Sequence, residues 1–173
     1  MRLAGEIKHS FVNGPGTRYV VFFQGCPHHC PGCQNPDTHN FAGGYEDDIS
    51  EVLHRIHNAK FLDGITLSGG EPFYQPEAAA EIAADAQKQG LSVWAYTGWT
   101  YEQLLTDPNA VDILTHVDIL VDGPYIQTRR SDLFMWRGSS NQRLIDVRES
   151  RRQGRPIIYL PSDKSLAPIC HSL

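Results

Sequence analysis

The stretch RYVVFFQGCPHHCPGC, from Arg18 to Cys33, joins a strand-like run to a loop that carries three cysteines. The run from Arg18 to Gln24 is rich in β-branched and aromatic residues, which predicts a buried β-strand. Cys26, Cys30 and Cys33 follow it directly, so three thiols lie in one short loop at the carboxyl end of that strand. In α/β proteins this end of the strands carries the functional loops, so the stretch predicts a strand followed by a ligand-binding loop.

Three cysteines provide soft ligands but do not complete the shell of a structural metal site. A structural zinc ion takes four ligands, and a [4Fe-4S] cluster is usually held by four cysteine thiolates. A cluster held by three thiolates leaves one iron open to a substrate. The alternative is a zinc site completed by a neighbouring histidine (His28, His29 or His39) or by Cys170.

Outward from this stretch, strand-like and helix-like patterns alternate along the chain. Further strands are predicted at Gly64–Ser68, Leu91–Tyr96 and Val117–Val121. Helices are predicted from near Tyr45, from Pro76 to Gly90, and from a capping box at Thr100 and Gln103 to a break at Pro108. This alternation predicts an α/β fold with a mostly parallel sheet. The chain has room for about four to six βα units, which favours a partial, open (βα) barrel.

Unusual short motifs follow the predicted strands at their carboxyl ends. Gly69-Gly70-Glu71-Pro72 follows the second strand, Thr97-Gly98 the third, and Asp122-Gly123 the fourth. Glycines after a strand let a ligand approach the backbone closely. Because the carboxyl ends of parallel strands share one edge of the sheet, these motifs and the cysteine loop are expected to converge on one site.

Composition places the chain among globular proteins. It has 173 residues, of which 40% are hydrophobic and 20% charged, and its net charge is -5. These values predict a single domain over residues 1–173. We expect a cytoplasmic location without membrane attachment, because neither a signal peptide nor a membrane-spanning run is apparent. Eight arginines lie between residues 129 and 155, but with little aromatic interleaving a nucleic-acid partner is not expected.

The combination of CxxxCxxC after the first strand and GGEP after the second resembles the radical S-adenosylmethionine (SAM) superfamily. Asn13–Arg18 resembles the segment before the first strand in activating enzymes of glycyl-radical enzymes. Leu120–Gly123 and Trp136–Gln142 are similar to activating proteins of anaerobic (class III) ribonucleotide reductase. The resemblance covers residues 7–147, and the tail from about residue 149 has no predicted role.

The resemblance implies a partial barrel of the radical SAM type with a [4Fe-4S] cluster and SAM as cofactors. A reduced cluster would cleave SAM, and the resulting radical would take a hydrogen atom from a glycine of a partner enzyme. The implied cluster ligands and catalytic residues are Cys26, Cys30 and Cys33. The implied SAM contacts are Gly32, Cys33, Gln34, Gly69, Gly70 and Glu71, with Thr97 and Asp122 as ribose, cation or substrate contacts.

The implied partner is the large subunit of anaerobic ribonucleotide reductase. A low-potential protein such as flavodoxin or ferredoxin would supply the electron. Two alternatives remain open from the sequence. One is activation of another glycyl-radical enzyme of the formate-lyase type, and the other is a non-catalytic, zinc-stabilised binding module.

Overall fold

The computed structural model describes residues 1–131 and 133–161. Within these residues, one mixed sheet has seven strands in the spatial order β3-β1-β2-β4-β5-β6-β7. The strands are β1 (Arg2–Ser10), β2 (Arg18–Phe23), β3 (Tyr45–Glu46), β4 (Gly64–Gly69), β5 (Ser92–Tyr96), β6 (Ile119–Asp122) and β7 (Arg143–Asp146). The helices are α1 (Ile49–Asn58), α2 (Pro76–Lys88), α3 (Tyr101–Leu104), α4 (Pro108–Thr115) and α5 (Val147–Gln153).

The four central strands β2, β4, β5 and β6 run parallel, as the sequence predicted. Phe23 pairs with Gly69 where β2 and β4 end, and Tyr96 pairs with Val121 near the ends of β5 and β6. The cysteine loop and the loops after β4, β5 and β6 therefore leave the sheet at one edge. In the described residues β3 and β7 are the outer strands, so the sheet stays open. The predicted mostly parallel, open architecture is confirmed.

The margins of the sheet differ from the prediction. β1 pairs antiparallel with β2, and β7 pairs antiparallel with β6, although neither strand was predicted. The predicted helix start near Tyr45 is wrong, because Tyr45 and Glu46 pair with β1 and α1 begins at Ile49. The predicted helix break at Pro108 is wrong, because α3 already ends at Leu104 and Pro108 is the first residue of α4, a position that needs no backbone N–H.

The helices cover one face of the sheet and form the main hydrophobic core with it. The strand residues of this core point to the helical side at every second position, as the two-residue period of a strand requires. They include Val21, Leu67, Ala95 and Leu120, which share the core with Val52 and Ile56 of α1, Ile82 and Ala83 of α2, and Ile113 of α4.

The opposite face of the sheet carries a buried arginine. Arg18 is fully buried, and its guanidinium donates to Thr66 Oγ1 at 2.7 Å and to Ser92 Oγ at 2.9 Å. The guanidinium also lies 5.7 Å from the ring centre of Trp94. Burial lowers the pKa of Arg18 to about 10, so the side chain keeps its charge at neutral pH. Arg18 thus ties β2, β4 and β5 together near their amino ends, away from the cysteine loop.

The chain after β7 returns to this second face. Tyr159 N–H donates to Leu144 O at 2.7 Å, and the Tyr159 ring lies 5.8 Å from that of Trp94. Trp136 packs on Trp94 from the loop before β7, at 5.1 Å. The tail from residue 149 thus completes α5 and then packs along β7, whereas Cys170 lies outside the described residues. No helix in residues 1–131 or 133–161 is long and apolar enough to cross a membrane.

Candidate functional site

A pocket lies at the edge of the sheet where the parallel strands end. Cys26, Cys30 and Cys33 all line it. Other parts of its lining come from the end of β4 and from the chain segments that follow β4, β5 and β6. The lining residues from those segments include Gly69, Gly70, Thr97, Gly98, Gly123 and Tyr125. The structure therefore brings together the loops that the sequence predicted to converge.

The cysteine loop is held by its own backbone and by the segment that follows it. Cys33 N–H donates to Cys30 O at 3.1 Å, and Cys26 N–H donates to His39 O at 3.2 Å. Asn35 N–H donates to Cys33 Sγ at 3.4 Å, so one sulfur already receives a backbone hydrogen bond. All three cysteines are free thiols; Cys26 is buried and the other two are half-buried.

The donor set fits a thiolate-bound cluster. Burial raises the pKa of the Cys26 thiol, and the negative charge of Glu71 adds to this effect. Metal binding overcomes such a shift, because a coordinating thiol is deprotonated by the ion. No group of three His, Cys, Asp or Glu side chains in the described part of the chain is arranged to hold one metal ion. In a cubane each thiolate binds a different iron, so the sulfurs need not converge on one point.

Gly69 and Gly70 lie directly against the backbone of β2 and the cysteine loop. Gly69 has a φ of 95°, and a Cβ at this position would lie 2.6 Å from Phe23 N. A Cβ on Gly70 would overlap Gly25 O. Gly70 N–H donates to Phe23 O at 2.7 Å, and Glu71 N–H donates to Gly25 O at 2.9 Å. Side chains are excluded here because two backbone segments meet, which leaves both glycines at the pocket wall.

The Glu71 side chain is fully buried and does not line the pocket. Its Oε2 is 2.7 Å from His28 Nε2 and accepts from Thr97 Oγ1 and Gly98 N, both at 2.9 Å. Its Oε1 accepts from Phe73 N at 3.1 Å. The carboxylate therefore connects the cysteine loop, through His28, to the loop after β5. The SAM contact predicted for Glu71 remains a prediction.

Asp122 likewise does not line the pocket. Its carboxylate is 1% exposed, accepts from Tyr101 N at 2.8 Å and from Arg143 Nε at 3.0 Å, and forms a second close contact with Arg143. Arg143 also binds Glu102, and these hydrogen bonds lower the pKa of Glu102 to about 2. Asp122 thus joins β6, α3 and β7, and the ligand contact expected of it remains a prediction.

Of the remaining predicted SAM contacts, some line the pocket and Gly32 does not. Gln34 and Thr97 line the pocket with the cysteines. Gly32 is exposed with a φ of 71°, and a Cβ there would lie 2.6 Å from Gln127 Cδ, outside the pocket lining. Gly32 therefore serves the turn between Cys30 and Cys33.

Sequence reasoning missed several residues that line the pocket. They are Ser68, Tyr96, Tyr125 and Gln142, together with His28 and His39, which were considered only as zinc ligands. Ser68 and Tyr96 are last or nearly last in their strands, on the face opposite the helices. The two-residue period of β4 and β5 could have predicted this placement, because it puts both residues on that face.

The fold and the pocket define a small α/β protein with an open sheet and a cysteine-lined site at the ends of its parallel strands. In keeping with this, residues 12–145 match the family model described as a 4Fe-4S single cluster domain. Relatives named anaerobic ribonucleoside-triphosphate reductase-activating protein are 37% identical in Salmonella typhi, 35% in Enterobacteria phage T4 and 34% in Escherichia coli K12. The matches cover 76%, 78% and 76% of this chain and 89%, 86% and 89% of those relatives.

The chain belongs to the family of anaerobic ribonucleoside-triphosphate reductase-activating proteins. Membership confirms the expectation of a radical SAM activating enzyme with a [4Fe-4S] cluster and SAM as cofactors. It does not support the alternative of a non-catalytic zinc module. Among solved structures, QueE from Escherichia coli matches 57% of this chain and 52% of that chain, with a TM-score of 0.45 and 17% identity.

Proposed function

We propose that this protein generates a glycyl radical on the large subunit of anaerobic ribonucleoside-triphosphate reductase. The observation that carries the proposal is the shared pocket, which is lined by three cysteines of one loop together with Gly69 and Gly70. The names of the relatives support the choice of partner. The reaction would consume one electron from a low-potential donor such as flavodoxin or ferredoxin, in the cytoplasm.

In the proposed site, Cys26, Cys30 and Cys33 each provide one thiolate to the cluster. When bound and reduced, the cluster supplies the electron that cleaves SAM to methionine and a 5′-deoxyadenosyl radical. The protein contributes binding, orientation and exclusion of water. Three protein ligands suit this task, because they leave one iron free for the amino and carboxylate groups of SAM.

Other residues that line the pocket would orient SAM beside the cysteine loop. Gly69 and Gly70 line the pocket next to the cysteine loop, and their backbone carbonyls would accept from the ammonium group of the ligand. Gln34 and Thr97 are the predicted side-chain contacts that line the same pocket. Thr97 is held by its hydrogen bond to Glu71, and such preorganisation lowers the cost of fixing the ligand in a reactive position.

The open sheet suits a macromolecular substrate. A glycine in a loop of the partner must approach the radical within contact distance, and a closed barrel would exclude such a loop. We propose that the loop enters from the uncovered side of the pocket. Protection from hydrogen exchange at the pocket rim on partner binding would support this entry route. Protection confined to the helical face of the sheet would contradict it.

Anaerobic reconstitution tests the proposal. The wild-type protein is expected to bind about four irons per chain and to cleave SAM under strong reductant. Cys30→Ala should lose the cluster, whereas Cys170→Ala, the matched change of the remaining cysteine, should retain it. One tightly bound zinc ion without SAM cleavage would contradict the proposal.

The partner is tested by electron paramagnetic resonance after incubation with SAM and a candidate enzyme. We expect a glycyl radical on an anaerobic ribonucleotide reductase and none on a formate-lyase-type enzyme. The reverse result would reassign the partner while leaving the radical chemistry in place.

A further inference from the structure

Two hydroxyl groups of the pocket lining have no hydrogen-bond partner in the protein. Ser68 and Tyr96 line the pocket together with the three cysteines. Among the residues that the structure describes, neither hydroxyl forms a hydrogen bond and neither is closed to solvent, since the closed and unpaired side-chain atoms there are His39 Nε2 and Arg137 Nε. The hydroxyls of Ser68 and Tyr96 are therefore accessible and are not used by the fold.

The sheet places these two residues side by side. In the parallel pairing of β4 with β5, Leu67 lies opposite Ala95, so the next residues along the two strands, Ser68 and Tyr96, are neighbours. Leu67 and Ala95 belong to the core under the helices. Because side chains alternate along a strand, Ser68 and Tyr96 point to the other face, where Tyr96 packs against the cluster that contains Trp94. Both hydroxyls therefore belong to the same part of the pocket.

A hydroxyl on the same face of β4 shows how such a group is used when it supports the fold. Thr66 lies two residues before Ser68, and its Oγ1 accepts from Arg18 Nε and donates to Asn13 O, both at 2.7 Å. Thr66 does not line the pocket. The paired hydroxyl thus lies away from the pocket and the unpaired one lies in it, which indicates that Ser68 is available to a ligand.

The pocket offers neutral donors to an anionic ligand group. Its described lining contains no Lys, Arg, Asp or Glu side chain. A carboxylate that enters a pocket without hydrogen-bond partners pays a large desolvation cost, so donors other than Lys and Arg must meet it here. Burial raises the pKa of Tyr96 above its usual range, so the phenol keeps its hydrogen at neutral pH. The hydroxyls of tyrosine and serine both donate hydrogen bonds.

The position of Ser68 indicates which group of SAM these donors meet. Ser68 directly precedes Gly69 and Gly70, whose carbonyls would accept from the ammonium group in the proposed site. The ammonium and carboxylate groups of SAM are bonded to one carbon atom, so a donor next to the ammonium site is also next to the carboxylate. We propose that the hydroxyls of Ser68 and Tyr96 donate hydrogen bonds to the carboxylate of SAM. The inference rests on the proposed function, because SAM must occupy this pocket.

Calorimetric titration of the reconstituted, oxidised protein with SAM tests this role. We expect Ser68→Ala and Tyr96→Phe each to weaken SAM binding about tenfold, as the loss of a hydrogen bond to a charged group predicts, with unchanged iron content. Decarboxylated SAM, which keeps the other groups of the ligand, should bind both variants as it binds the wild type. Tyr45→Phe, a change at an exposed tyrosine of β3, should leave both affinities unchanged.

Urea unfolding of the metal-free protein adds a readout that does not depend on the ligand. Ser68→Ala and Tyr96→Phe should unfold at the wild-type urea midpoint, because neither hydroxyl has a partner in the fold. Thr66→Val removes a paired hydroxyl from the same face of β4 and should lower the midpoint. A loss of stability in Ser68→Ala as large as that in Thr66→Val would contradict the inference, because it would mean that the Ser68 hydroxyl serves the fold.

The binding experiment can also overturn the inference. Wild-type affinity for SAM in either variant would refute the proposed pair of donors. An equal loss of affinity for SAM and for decarboxylated SAM would refute the assignment to the carboxylate. A failure of the proposed function is distinct from these results, since it would appear in the wild-type protein as an absent cluster or as an absence of SAM binding.

Discussion

Replacing Glu71 by Gln tests the network that joins the cysteine loop to the strand ends. The two carboxylate oxygens accept from Thr97 Oγ1, Gly98 N and Phe73 N, and Oε2 lies 2.7 Å from His28 Nε2. A Gln side chain has the same shape but only one oxygen. If that oxygen takes the crowded Oε2 position, the amide nitrogen must face the N–H of Phe73.

The expected cost follows from this geometry. One buried N–H is left facing another donor, and an unsatisfied buried group costs about 1–3 kcal/mol. The three remaining hydrogen bonds also weaken, because hydrogen bonds to a charged acceptor are stronger than those to a neutral one. We therefore expect Glu71→Gln to lower the free energy of unfolding by about 2–3 kcal/mol.

Urea unfolding of the metal-free, reduced protein under anaerobic conditions measures this cost without contributions from a cluster. Glu81→Gln is the matched control, since Glu81 is exposed on α2 and surface changes usually stay within about 0.5 kcal/mol. Hydrogen exchange adds a local readout, because release of His28 should speed exchange of the backbone amides in the cysteine loop. A Glu71→Gln variant as stable as the control, with unchanged exchange in that loop, would refute the reasoning.

Three further predictions concern the neighbouring contacts. Asp122→Asn should destabilise the protein by about 1–3 kcal/mol in urea with unchanged SAM affinity by calorimetry, and a selective loss of SAM affinity would instead support the contact predicted from the sequence. Gly98→Ala should displace His28, because the new Cβ would overlap its ring, and iron retention after gel filtration should fall; full retention would contradict this packing. The pKa of Glu102 is lowered to about 2, so its stabilising effect is complete above its ordinary pKa of about 4.5 and is lost as the pH falls towards 2. Glu102→Gln should therefore lose less stability than the wild type between pH 5 and pH 2, as measured by urea unfolding, and parallel pH profiles would argue against it.

Local sequence signals predicted the elements whose pattern lies within a few residues. The capping box at Thr100 and Gln103 is present as predicted, with both of its hydrogen bonds. The parallel strands were visible as short apolar runs because both of their faces are buried. β1 and β7 escaped prediction because each lies towards a margin of the sheet, and four of the nine residues of β1 are exposed. The formation of such strands depends on pairing with a neighbouring strand, which the local sequence does not show.

The residues of the predicted site also divide into those with a local sequence signal and those whose partners are distant in sequence. Cys26, Cys30 and Cys33 could be predicted to share one site because a ligand loop carries its chemistry in its spacing, and the three residues line one pocket. The roles of Glu71 and Asp122 could not be found in this way. Glu71 meets His28 across 43 residues of chain, and Asp122 meets Arg143 across 21. A carboxylate next to a strand end looks the same in sequence whether it faces a ligand or a buried partner.

The sequence by itself determined the class of this protein, because the cysteine spacing and the glycines after the second strand are local demands of cluster and ligand. Only the tertiary structure decided which neighbouring side chains remain available to that ligand. The carboxylates of Glu71 and Asp122 are held by His28 and Arg143, which are distant from them in sequence. The reason is physical: hydrogen-bond satisfaction in a buried site depends on groups that are distant in sequence and meet only when the sheet has formed.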